Sequence, residues 1–183
     1  MLNFLVSKKN LDEKVASASF VLDCVKGSDK AWLEIKKHFQ NNFYNNNFVF
    51  LDDNLCALNL SFALIALGIA SVESFFPQEQ SKRLALHIMS GLRTESTENY
   101  AVKEVIDYLE AYENGGNRQK GLEGVAIILL NQWLGKNIDK ILIKGTKDKP
   151  FFINPIATDI VSMFLNKLSG YWENVYKNYN LIK

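Results

Sequence analysis

Apolar side chains return along most of this chain at steps of three and four, the spacing of one face of an α-helix. In "NLDEKVASASFVLDCVKGS", Val15, Ala18, Phe20, Val21, Leu22 and Val25 form such a stripe. Asn10 is suited to cap the start of that helix and Gly27 to stop it. Ser28 then reads as the cap of a second helix, in which Trp32, Ile35, Phe39 and Phe43 share a face. The "NNFYNNNF" that follows reads as a surface loop, because asparagine side chains compete for backbone hydrogen bonds.

The pattern changes over residues 53–74. No charged side chain lies between Asp53 and Glu73. A helix apolar on every side sits either in a membrane or at the centre of a soluble domain, and this one is long enough for either. Asn59 and Ser61 interrupt the run, and its flanks are acidic at Asp52, Asp53 and Glu73. Ala57, Ala63, Ala66 and Gly68 let neighbouring helices approach closely. These features select a buried central helix, capped by Asp52 or Asp53. Asn59 and Ser61 then need hydrogen-bond partners inside the core.

Beyond it, Phe76 precedes Pro77, which is placed to open the next helix. That helix shows Leu84, Ile88 and Leu92 on one face and ends near Gly91. A helix starting in "TESTEN" and stopping at "NGG" carries an inner stripe of Val102, Val105, Ile106, Leu109 and Tyr112. "RQKGLEGVAIILLNQWLG" is another apolar helix, ending at Gly135. Residues 138–153, with Ile138, Ile141 and Ile143, a "GTKD" turn and "PFFI", are compatible with a short β-hairpin. Asn154 and Pro155 open the last helix, which keeps helical spacing through Ile156, Ile160, Met163, Phe164, Tyr171, Val175 and Tyr179. The expected architecture is all-α, one domain over residues 1–183, with about seven helices around the central one.

Composition adds little beyond this. Hydrophobic residues make up 48% and charged residues 22% of 183 positions, the balance of a soluble globular domain. The formal net charge of +1 gives no reason to expect nucleic acid or an anionic membrane, and it permits self-association, including a homodimer. Cys24 and Cys56 each fall inside an apolar helical run and read as buried free thiols of a reducing cytosol. The opening "MLNFLVSKKN" does not have the build of a secretory leader.

Few residues suggest chemistry. Glu73, at the end of the apolar helix, is a candidate acid–base or metal-binding carboxylate, though a surface position or a pairing with Arg83 explains it as well. His38 and His87 are the only histidines, and neither has a metal-binding neighbour at helical spacing. Glu95, Glu98, Glu104, Asp107, Glu110 and Glu113 make an acidic helix, with Glu104, Asp107 and Glu110 expected on one outer face as a docking surface for a basic partner. Lys136, Lys140, Lys144, Lys147 and Lys149 make a basic loop without a phosphate-binding motif. At the C-terminus Tyr171 and Val175 are expected inward, and Trp172 and Tyr176 form a neighbouring stripe that either completes the core or serves as an interface.

The resulting expectation is a non-catalytic cytosolic module that docks another protein, of accessory, inhibitor or immunity (antidote) type. Trp172, Tyr176, Glu104, Asp107 and Glu110 are the partner-binding candidates, and no cofactor, metal, nucleic acid or membrane is implied. The rival is a helical binding protein for a small apolar ligand, its pocket beside the central helix and lined by Phe62, Phe75 and Trp133. A metal-dependent enzyme using Glu73 and His87 is the third reading.

Overall fold

The computed structural model describes residues 8–43, 49–93, 100–146, 151–168 and 170–183. The chain runs β1 (Lys9–Asp12), α1 (Glu13–Asn42), α2 (Asp53–Val72), α3 (Gln78–Gly91), α4 (Tyr100–Asn114) and α5 (Arg118–Leu134). A 3-10 turn (Gly135–Ile141) then leads to β2 (Leu142–Lys144), β3 (Phe151–Ile153), α6 (Pro155–Leu168), α7 (Tyr171–Asn178) and β4 (Tyr179–Ile182). The protein is all-α, with the short strands as accessories. The expected segments in residues 1–7 and 44–48, Glu95, Glu98, Lys147 and Lys149 lie outside the described residues.

The apolar run 53–72 is the middle of the bundle. α2 touches each of the other six helices. Its most apolar window has a mean hydropathy of 2.2 and is 72% buried against protein. Asp52 caps it, its carboxylate accepting hydrogen bonds from the backbone N–H groups of Asn54 and Leu55 at 3.0 and 3.1 Å. Small residues allow the close packing. An added Cβ on Gly68 lies 2.0 Å from Cζ of Phe20, so α1 and α2 meet there ring against backbone. Ser61 satisfies its hydroxyl on the Leu58 carbonyl at 2.7 Å, whereas Oδ1 of the buried Asn59 has no hydrogen-bond partner among the described residues.

Seven α-helices are present among the described residues, but three expected boundaries are corrected. The expected break at Gly27 does not occur: α1 runs unbroken for 30 residues. A glycine inside a helix costs about 1 kcal/mol, and buried Cys24, Ala31, Trp32, Ile35 and Phe39 on either side hold the helix together. Asp12 rather than Asn10 is its cap, since Asn10 lies within β1. The expected last helix is instead divided, with Gly170 at the N-cap of α7.

A further correction concerns which side of α1 faces inward. Ala16, Phe20, Cys24, Ala31, Ile35 and Phe39 form the core face. Val15, Ala18, Leu22 and Val25, expected inside, face solvent, with Val15 52% and Leu22 50% exposed. Likewise Ile106 of α4 is exposed, and Tyr108 takes the fully buried position. On α6, Ile156 and Met163 lie outside, while Ile160, Val161, Phe164 and Leu165 are buried.

The hairpin forms with Leu142 opposite Ile153 and Lys144 opposite Phe151; residues 138–141 belong to the 3-10 turn that precedes it. β1 and β4 pair in parallel, Lys9 with Tyr179 through Asp12 with Ile182, and so tie the start of α1 to the end of α7. Asn154 caps α6 and Pro155 opens it, both as expected.

Candidate functional site

The C-terminal aromatics form an internal cluster. Trp172 is fully buried. Its ring centroid lies 5.0 Å from Tyr171, 5.2 Å from Phe20 and 6.0 Å from Phe76. Of the two readings of this stripe, the core one holds for Trp172, and its candidacy as a partner-binding residue is corrected: α7 rests through this ring on Phe20 of α1 and on Phe76 after α2, because the large apolar ring gains most from burial there. Tyr176, one turn on, is 48% exposed, with Phe75 and Phe76 beneath it and the Lys8 ammonium 4.6 Å above its ring.

The acidic face is also dispersed. Steps of three residues advance 300° around a helix, so Glu104, Asp107 and Glu110 fan across about a third of the circumference. Glu104 is buried, and its Oε2 accepts from Gln132 Nε2 at 2.7 Å, while Gln132 Oε1 accepts from the Tyr108 hydroxyl. Asp107 pairs with Lys103 at 2.6 Å, and Glu110 is exposed. Of these, only Glu110 presents an open carboxylate. In the basic loop, Lys136, Lys140 and Lys144 are exposed.

The carboxylate with the most constrained surroundings was missed by pattern reading. Glu13, the first residue of α1, is 2% exposed and accepts from Arg83 Nη2 and Nε and from Gln80 Nε2 at 2.8–2.9 Å. The Arg83 hydrogen bonds hold its pKa below the ordinary glutamate value, against the opposing effect of burial. The pairing expected for Glu73 thus goes to Glu13. Glu73 is exposed and lines a cleft of about 480 Å³ with Lys82, Glu113 and Arg118.

Glu73 and His87 do not converge. Ser81, Lys82 and Ala85 of α3 line the Glu73 cleft, whereas His87, Ser90 and Gly91 line another cleft on the opposite face of the same helix. Among the described residues, no three His, Cys, Asp or Glu side chains gather as a metal site. Burial pushes the Cys24 and Cys56 thiols up to about 12, so neither is a nucleophile near neutral pH. Phe62, Phe75 and Trp133 likewise fail to frame one pocket. Phe62 packs on Tyr100, Phe75 on Tyr176, and Trp133 on Trp32 at 4.8 Å, with its Nε1 donating to the Cys56 carbonyl.

What the structure offers instead is the groove between α1 and α3. Its volume is about 660 Å³, and Ala18, Val21, Leu22 and Val25 form its apolar wall. Lys14 and Ser17 stand on the α1 side and His87, Ser90 and Gly91 on the α3 side, with no carboxylate in the lining. The wall from Lys14 to Val25 is about 16 Å long at 1.5 Å per residue. The apolar seam of α1 extends past the groove to Val15, 52% exposed. The spacing of Val15, Ala18, Leu22 and Val25 is the a and d pattern of a helix-packing seam. The spacing is legible in the sequence, but it does not say which side of the helix turns inward.

The chain matches no family model, no curated protein sequence and no solved structure.

Proposed function

We propose that this chain is a non-catalytic protein-docking module of the cytosol, and that it docks through the outward seam of α1 and the groove that seam forms with α3. One observation carries the reading: α1 is apolar on two opposite faces, and among the described residues only one of them is covered. A helix apolar on both sides belongs between two packed layers, and a contiguous exposed apolar strip is characteristic of an interaction site. The two buried, unbonded thiols support a reducing compartment. Accessory, inhibitor and antidote-type roles all work by such docking.

A small apolar ligand in the same groove is the rival use, and its volume falls within the usual range for such sites. The extension of the seam to Val15, outside the groove lining, favours a protein, since a small molecule filling the groove leaves that side chain in water.

The test is a photo-crosslinking amino acid placed at Leu22 in cells that produce the chain, with the same residue at exposed Glu34 as control. The reading expects a covalent protein adduct from position 22 that is missing from position 34. Identical patterns from the two positions overturn it.

A further inference from the structure

We infer that the α1/α3 groove receives the α5/α6 face of a second copy of this chain, so that copies associate head to tail. The inference rests on the docking reading above and names its partner.

The second surface lies elsewhere on the bundle. A cleft of about 400 Å³ between α5, β3 and α6 is lined by Ile127, Phe152, Ile153 and Pro155, with Glu123 and Asp159 at its edge. Phe151 and Ile156 stand out from the same region, 60% and 53% exposed, and Met163 continues the strip along α6. This surface is as apolar as the groove and opposite in charge. Lys14 is the one charged side chain in the groove lining, where no acid stands; the α5/α6 lining holds Glu123 and Asp159 and no base, and both acids also border the adjoining cleft with Arg118. Among the described residues Lys14, Glu123 and Asp159 form no ion pair within the chain, and Glu123 accepts a neutral hydrogen bond from Gln119. Arg118 donates to Asn166 at 2.7 Å.

The charges also select the symmetry. A two-fold contact through the groove sets Lys14 against a surface that carries the same lysine and no acid. A head-to-tail contact sets it against Glu123 and Asp159, and complementary potentials fix partner and register. Because the two linings share no residue, one copy can offer both at once, and the association is open-ended or closes into a ring. A net charge of +1 opposes this only weakly.

The experiment is sedimentation velocity on the full chain over a rising concentration series at low salt. Leu22→Asp blocks the groove and Ile156→Asp blocks the opposite face; both side chains are exposed, and circular dichroism checks that each variant is folded. The wild type should grow beyond a dimer with concentration. Each variant alone should stay monomeric, and an equimolar mixture should form a one-to-one dimer and nothing larger, because one intact groove meets one intact face. Lys14→Glu should weaken wild-type association roughly tenfold or more by placing like charges together, and it serves in place of Leu22→Asp should that variant misfold. A wild type that stays monomeric throughout, or a variant mixture that gives no dimer, overturns the inference. Either result leaves the docking reading standing on the crosslinking test, where an adduct to an unrelated protein supports docking and rejects self-association.

Discussion

Arg83 grips Glu13 with two parallel hydrogen bonds, Nη2 to Oε1 at 2.8 Å and Nε to Oε2 at 2.9 Å, and so fastens the start of α1 to α3. This pair sets one end of the groove. Lys14, the next residue, stands at the groove mouth because Glu13 is held inward.

The pair makes a pH-dependent contribution whose sign is fixed. The folded pKa of Glu13 lies below its ordinary value, chiefly through the Arg83 hydrogen bonds. Its stabilisation is complete above the unfolded carboxylate pKa and is lost as pH falls through the lowered folded value. Arg83→Met should therefore lower the urea midpoint most at neutral pH, with the difference from wild type narrowing in acid. Adding Glu13→Gln should recover part of the loss at neutral pH, because it removes the stranded buried charge. Urea titrations at several pH values check both; a pH-independent difference contradicts the assignment.

Trp172 is a packing residue. Trp172→Ala removes a fully buried ring from among Phe20, Phe76 and Tyr171 and should cost about 3–5 kcal/mol. Chemical denaturation measures this directly. A loss below about 1 kcal/mol, the range of ordinary surface changes, returns Trp172 to the surface.

Two helical glycines should respond in opposite directions. Gly27 has nothing within 4 Å of an added Cβ, so Gly27→Ala should stabilise by about 0.5–1 kcal/mol. At Gly68 the added Cβ meets a Phe20 ring held between Tyr171 and Trp172, both at 5.2 Å. Gly68→Ala should destabilise by about 1–3 kcal/mol. Phe20→Leu in the same chain should recover part of it, since the two sites share one space. Thermal melts of the three variants decide the matter.

The thiols should be silent in the native state. Cys24 and Cys56 are buried and free, with pKa pushed up to about 12 by burial. A disulfide reagent at pH 8 should label neither until the protein is unfolded, and then both. Fast labelling of native protein at either position contradicts the burial.

Much of this architecture was legible in the residues. The uncharged run after Asp53 is a core helix because an all-round apolar surface needs cover on every side, which the six surrounding helices give it. Asp52, Asn154 and Pro155 mark helix starts through local backbone chemistry, which needs no tertiary partner. The seam of Val15, Ala18, Leu22 and Val25 was also legible, because helical geometry puts steps of three and four on one face whatever surrounds them. Which face of α1 turns inward was decided only by packing. Phe20 and Cys24 go inside because Phe20 fills the space over Gly68 and meets Trp172, a contact made by residues far apart in the chain. The same choice leaves the seam in water, carries Trp172 from the surface to the core, and brings Glu13 to Arg83, 70 positions away. Periodicity is a property of one helix and states that a face exists. The neighbour that covers that face, or leaves it open for a partner, belongs to the assembled bundle.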